Sequence, residues 1–230
     1  MREIKVKICG LTNKPDVDMC LRSGVDILGF VVEYPLEVPW NLNRADASRL
    51  LTGIKAASRQ TCIVTGGSPA KVIKLAAYLR PSLVQLHFRE KMADAIYIAD
   101  ALQDLNIGVI KSISPVKEDL FCQFGTDNLE EVVIGLNQSS ISGLLVDSRV
   151  PTNAAEKGSC IDTTLCKEVI SYSRKPVTIA GGINADNVGS YIAATGARCI
   201  DVMTGVESSA GCKEEKLLHK LLGAIAKGTC

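Results

Sequence analysis

Val177-Thr178-Ile179-Ala180-Gly181-Gly182 is an apolar strand that runs straight into two glycines. About twenty residues later Ile200-Asp201-Val202-Met203-Thr204-Gly205-Val206-Glu207 ends a second strand the same way. Glycine has no Cβ, so the amides of such turns can come close to an anionic oxygen. A helix starting just beyond each turn adds partial positive charge. In a βα-barrel the loops after the seventh and eighth strands form the usual phosphate pocket. The pair therefore points to an α/β fold, a single (β/α)8 barrel of the TIM type. It also points to a phosphorylated small molecule held at one end of that barrel.

The rest of the chain is consistent with this reading. Short apolar runs at 4–9, 25–33, 60–65, 82–86, 107–113, 141–147, 176–180 and 198–203 predict eight strands. Stretches of helical period at 14–23, 43–57, 69–80, 91–104, 126–138, 162–173, 184–195 and 213–226 predict the helices that alternate with them. Strict alternation implies parallel strands joined by right-handed crossovers, and eight such units close a barrel. Pro15 and Pro69 fall at helix starts, where a missing N–H costs little. Asn184 and Asp186 are candidate caps for the helix after the glycine pair. No Gly/Ser/Pro-rich linker divides the 230 residues, so 1–230 reads as one domain. Two connections exceed the roughly 2–6 residues usual in βα units, Glu33–Asn43 and Ser148–Ile161. Both follow strands, which makes them candidate lids over the active face.

Composition narrows the function. Hydrophobic residues make up 47% and aromatics only 4%, so the core is aliphatic, as in a buried parallel sheet. The net charge of +1, with no basic stripe, argues against a nucleic-acid partner. No apolar run approaches the ~20 residues of a membrane span. The start, Met1 to Cys9, alternates charged and apolar residues and reads as a first strand, not a signal peptide. The nine cysteines form no CxxC pair and no zinc-like spacing. Those in apolar segments, such as Cys62, Cys122 and Cys199, read as reduced, buried thiols of a cytoplasmic protein.

Few residues remain to carry chemistry. Cys9 ends the first strand before Gly10, at the barrel mouth. It is either an inert small residue or a thiol whose pKa is lowered by a nearby phosphate pocket and helix N-termini, which makes the thiolate available. Asp147 closes an apolar strand, where packing explains a carboxylate poorly, and is a general acid or base or else a cap for the next loop. His87 follows the fourth strand, where a lone histidine is more often structural than catalytic. His219 belongs to the solvated face of the last helix. Asp201 either faces the mouth or is paired inside the barrel. Asp26 and Glu33 flank the second strand, and Glu33 reads as a rim charge.

Taken together, these stretches resemble the phosphoribosylanthranilate isomerase family, βα-barrel enzymes of tryptophan biosynthesis. The matching segments are Lys7-Ile8-Cys9-Gly10-Leu11-Thr12, Gly24-Val25-Asp26-Ile27-Leu28-Gly29-Phe30 and Val84-Gln85-Leu86-His87. Leu144-Leu145-Val146-Asp147-Ser148 and the two glycine turns complete the set, in the family's order and over nearly the whole chain. The resemblance implies an Amadori rearrangement of N-(5-phosphoribosyl)anthranilate to its 1-deoxyribulose form. Asp147 would be the acid, Cys9 the base, and the amides around Gly181, Gly182, Thr204 and Gly205 the phosphate grip. No metal or redox cofactor is implied, and barrels of this kind occur as monomers and homodimers.

The aryl end departs from the family pattern. Tyr34-Pro35 is followed by Leu36-Glu37-Val38-Pro39-Trp40 in place of a stretch that carries an arginine for the anthranilate carboxylate. Trp40 can stack on an aromatic ring but cannot pair with an anion. Arg44 is the candidate replacement cation, and His87 a further substrate contact. Phe88 replaces a glycine after His87, and only Gly158 remains of a glycine-rich loop after the sixth strand. Two alternatives to the isomerase stay open: a paralogue for another phosphorylated sugar or aminoaryl substrate, and a non-catalytic phosphate-ligand binder.

Overall fold

β1 (Lys5–Ile8), β2 (Ile27–Val31), β3 (Gln60–Thr65), β4 (Leu83–Leu86), β5 (Gly108–Ile113), β6 (Gly143–Asp147), β7 (Val177–Ala180) and β8 (Cys199–Val202) pair in parallel in chain order, and β8 closes back on β1. This computed structural model describes residues 4–54, 59–148 and 161–228. The helices α1 (Lys14–Arg22), α2 (Arg44–Thr52), α3 (Pro69–Leu79), α4 (Met92–Gln103), α5 (Lys117–Phe124), α6 (Leu129–Asn137), α7 (Thr163–Tyr172), α8 (Val188–Thr195) and α9 (Glu215–Gly228) surround it. The (β/α)8 barrel expected from the alternating pattern is thus the observed fold. It leaves every strand without a free edge and sets all eight strand C-termini around one mouth.

The period-two geometry of a strand sends alternate side chains to opposite faces. On the outer face Val6, Ile8, Leu28, Phe30, Ile63, Val84 and Leu86 join the helices' apolar faces in the main core. Inside the barrel, Ile27, Cys62, Leu83 and Cys199 form one small cluster and Ile110, Leu145 and Ala180 another. Lys7, Gln85 and Asp201 are also fully or almost fully buried. Their side chains are hydrogen-bonded to one another inside the barrel.

Several local expectations are corrected. The helix expected over 126–138 is α6, and an unexpected helix, α5, precedes it. Gly125, in the left-handed region at φ 75°, ends α5, and the Asn128 side chain caps α6 by accepting from the amides of Glu130 and Glu131. The helix expected from 184 begins at Val188. Asn184 and Asp186 form the turn ahead of it, where Asp186 N donates to Asn184 Oδ1 and Asn184 N to Asn187 Oδ1. The last helix begins at Glu215, because 207–213 forms a small hairpin of β9 (Glu207–Ser209) and β10 (Cys212–Lys213). Cys122 is exposed on α5, not buried. Pro15 and Pro69 stand in the first turns of α1 and α3, as expected. The loop expected as a lid over 148–161, with Gly158, lies outside the described residues apart from its two ends.

Candidate active site

The strand C-termini enclose a cavity of about 760 Å³, its open mouth included. Its lining falls into three zones. Gly181, Gly182, Ile183 and Thr204 form one end, and Cys9, Gln85, His87, Asp147 and Asp201 the middle. Val31, Tyr34, Val38, Trp40, Val64 and Met203 form an apolar, aromatic remainder.

At the first end the two glycine turns lock together. Gly181 has φ 110°, and a Cβ there would lie 1.9 Å from Ser148 Oγ. A Cβ on Gly205 would lie 1.9 Å from the Ile183 carbonyl oxygen. Both positions therefore require glycine, for backbone shape at 181 and for close approach at 205. Thr204–Val206 is a single 3₁₀ turn, whose first amides have no partner within it. Gly205 belongs to this packed turn, while Thr204 reaches the cavity itself.

The middle zone is polar, and most of its side chains are buried. Cys9 extends β1, with its amide bonded to Val202 O, and is only 5% exposed. The lowered thiol pKa expected for it is overturned. Burial pushes the Cys9 thiol up, against the charge of Lys7 and of Lys213 and a hydrogen bond to Lys7, with Asp201 adding to the rise. Desolvation of the anion outweighs two nearby cations. Asp201 resolves into both of its alternatives. Its Oδ2 takes the Lys7 ammonium at 2.5 Å inside the barrel, while the residue also lines the cavity. Oδ1 is buried with no hydrogen-bond partner among the described residues. Burial disfavours the Lys7 ammonium, but Asp201, with Cys9 and Cys62, more than offsets this and raises its pKa.

Lys7 also donates to Gln85 Oε1 at 2.9 Å. Gln85 Nε2 is 3.2 Å from His87 Nδ1, and His87 Nε2 is 3.6 Å from Asp147 Oδ2. A chain of polar contacts thus crosses the barrel from β8 to β6. Sequence reasoning passed over Lys7 and Gln85. Strand alternation held the signal: Lys7 and Cys9, Gln85 and His87, and Asp201 and Met203 are i, i+2 pairs on inward faces.

At the aromatic end, the 33–43 connection is tied down by side chains. Tyr34 OH donates to His87 O at 2.6 Å, and its ring meets Phe88 edge-on with centroids 6.1 Å apart. The bulk of Phe88 is admitted by Gly66, whose missing Cβ would lie 2.5 Å from that of Phe88. Trp40 Nε1 donates to Glu207 Oε1 at 2.8 Å, and Lys213 Nζ donates to the same oxygen at 2.6 Å. The β9–β10 hairpin thus fixes the indole as a cavity wall. Arg44 does not reach the site. It forms a two-pronged ion pair with Glu33, at 2.7 and 3.0 Å, and does not line the cavity. That pair keeps the Glu33 carboxyl below its ordinary pKa. The proposed replacement cation is therefore already partnered by the acid eleven residues before it. His219 is exposed on α9, as expected.

The family model described as N-(5'phosphoribosyl)anthranilate (PRA) isomerase matches residues 6–224. The chain belongs to this family. Its activity is that of the family, the isomerisation of N-(5'-phosphoribosyl)anthranilate in tryptophan biosynthesis. It is 27% identical to the N-(5'-phosphoribosyl)anthranilate isomerase of Natronomonas pharaonis, over 96% of this chain and 97% of that one. It is 28% identical to the Rhodospirillum rubrum enzyme, over 99% and 100%. The crystal structure of phosphoribosyl anthranilate isomerase from Thermotoga maritima superposes with a TM-score of 0.78 at 26% identity, covering 97% of this chain and 99% of its own. A phosphoribosyl anthranilate isomerase in complex with reduced 1-(o-carboxyphenylamino)-1-deoxyribulose 5-phosphate matches at a TM-score of 0.75 and 25% identity, over 97% and 99%. No described helix is long and apolar enough to cross a membrane. No group of metal-ligating side chains occurs among the described residues.

Proposed function

We propose that Cys9 and Asp147 are the base and acid of this isomerisation, with the substrate phosphate on the amides around Gly181, Gly182, Thr204 and Gly205. The supporting observation is that a buried thiol and a buried carboxyl line one cavity beside two interlocked glycine turns. Asp147 gives its proton to the furanose ring oxygen. The C1–O bond breaks while the nitrogen lone pair forms C1=N, leaving a protonated imine. The Cys9 thiolate then takes the proton from C2. The electron pair left at C2 forms the C1=C2 bond and neutralises the nitrogen. The resulting enolamine gains a proton at C1 and loses one from its C2 hydroxyl, which gives the ketone.

The raised thiol pKa fits this order of events. The iminium formed at ring opening adds a cation to Lys7 and Lys213 and favours the thiolate when it is needed. Asp201 Oδ1 offers an acceptor to a substrate hydroxyl or amine, since a buried oxygen without a partner is costly. Trp40 and Tyr34 form the platform for the aryl ring, and His87 lies between that platform and Asp147. We further propose that the whole chain acts as one cytoplasmic domain. The free thiols of the seven described cysteines are those a reducing compartment maintains.

Turnover of phosphoribosylanthranilate by Cys9→Ala and by Asp147→Asn tests the assignment. Each substitution is expected to cut kcat by about 10²–10⁴-fold with the fold retained. Activity close to wild type in either variant would contradict it.

A further inference from the structure

We infer that Gln85 is a positioning residue that sets the tautomer of His87, so that the imidazole is neutral and presents Nε2–H to Asp147. The argument starts at Lys7. Its ammonium has donors only, lies fully buried in the barrel, and is 2.9 Å from one end of the Gln85 side chain. That end must be the amide oxygen. The reversed amide would set an NH2 against an ammonium, leaving two donors face to face away from water. Asp201 holds the lysine in place from its other side, on the neighbouring strand at the same level of the barrel, where Lys7 pairs with Asp201 in register.

With its oxygen committed, Gln85 has only its NH2 to offer His87 Nδ1, 3.2 Å away. Nδ1 must then accept. An Nδ1–H, whether in the other neutral tautomer or in the imidazolium, would oppose the amide protons. The ring proton is therefore on Nε2, the nitrogen 3.6 Å from Asp147 Oδ2. Tyr34, by donating to the His87 carbonyl, fixes the backbone that carries the ring. A cation at the base of the barrel mouth thus dictates, through one amide, which hydrogen-bonding face the imidazole turns toward the carboxyl. The tautomer assignment needs no assumption about chemistry. Its value for catalysis, turning a donor and not an acceptor toward the Asp147 carboxyl, rests on the acid role proposed above.

The chain has two histidines, and His219 is the exposed one, so the ring signals of ¹⁵N-labelled protein are assignable with a His219→Gln control. Two-bond ¹H–¹⁵N correlation at neutral pH is expected to show an unprotonated Nδ1 and a protonated Nε2 for His87. In Gln85→Glu the new carboxylate still accepts from Lys7 but also accepts from the ring, so Nδ1 is expected to become protonated. kcat is expected to fall about 10–100-fold, as for other partners that orient a reacting group, with KM near wild type. A protonated Nδ1 in the wild-type protein, or an unchanged ring pattern in folded Gln85→Glu, would overturn the inference. The wild-type spectrum decides the matter even if that variant does not fold. Full activity in Asp147→Asn beside the expected wild-type spectrum would refute the acid role and leave the tautomer assignment standing.

Discussion

The two ends of the cavity are built by different means. The zones proposed for the phosphate and the reaction come from strand ends and the turns directly after them, where the barrel ladder and the period-two alternation of strands set side-chain positions. Cys9 follows from β1, Asp147 from β6, His87 from β4 and the glycine turns from β7 and β8. The zone proposed for the aryl group comes from an eleven-residue connection, 33–43, whose ends are tied by backbone bonds between Glu33 and Leu42 and between Leu42 and Val31, and whose aromatic side chains are held by side-chain bonds. Tyr34 is pinned to the end of β4 and Trp40 to the β9–β10 hairpin. The barrel ladder therefore sets the positions of the proposed acid and base, while side-chain hydrogen bonds orient the aromatic walls. Changes at the first end should be severe and changes at the second graded.

The sharpest contrast is expected at Gly205. A Cβ there lies 1.9 Å from a backbone oxygen, so Gly205→Ala must move the turn. Displacing the phosphate by about 1 Å is expected to lower kcat/KM about 100-fold, measured by steady-state turnover. The next effect is of pH. Because burial raises the Cys9 pKa, the thiolate is the minor form near neutrality. kcat/KM of the wild type should therefore climb with pH through the neutral range, about tenfold per unit where the thiolate limits the rate. A profile that falls over that range would contradict the base role.

At the aryl end, Glu207→Gln keeps the shape but weakens the bonds to Trp40 and Lys213. The expected cost is about a five- to tenfold rise in KM with kcat little changed. Trp40 is the only tryptophan, so quenching of its fluorescence on titration with a product analogue reads the same loss directly. Arg44→Ala should do least. With its guanidinium spent on Glu33 outside the cavity, KM is expected to stay within about twofold, the range of ordinary surface changes. A large rise in KM would restore Arg44 as the anion partner.

The same division governs what could be read from the sequence. The eight strands, the barrel, and the placement of the glycine turns, Cys9 and Asp147 around one mouth were legible because each depends on local rules: alternation, glycine after a strand, a carboxylate closing an apolar run. Lys7, Gln85 and the second role of Asp201 depend on which strands face across a closed barrel, and spacing along the chain does not encode that. The Cys9 pKa was misjudged for a related reason. Its neighbours include cations, as expected, but the energy of the thiolate is dominated by burial, a property of the packed barrel. Arg44 lies outside the cavity lining because it pairs with Glu33, itself in the left-handed region at φ 44°. The end of the unexpected α5 and the hairpin at 207–213 each hinge on a single turn. Gly125, left-handed at φ 75°, marks the first, and Gly211, left-handed at φ 80°, marks the second.

The most direct measurement is a crystal structure of this chain with reduced 1-(o-carboxyphenylamino)-1-deoxyribulose 5-phosphate bound. The account predicts the phosphate on the backbone amides at Gly182 and Thr204, and the sugar C2 within about 3–4 Å of Cys9 Sγ, as a reacting pair requires. Asp147 should lie on the side of the former ring oxygen, and the aryl ring against Trp40. A phosphate seated elsewhere, or C2 facing any side chain other than Cys9, would contradict it.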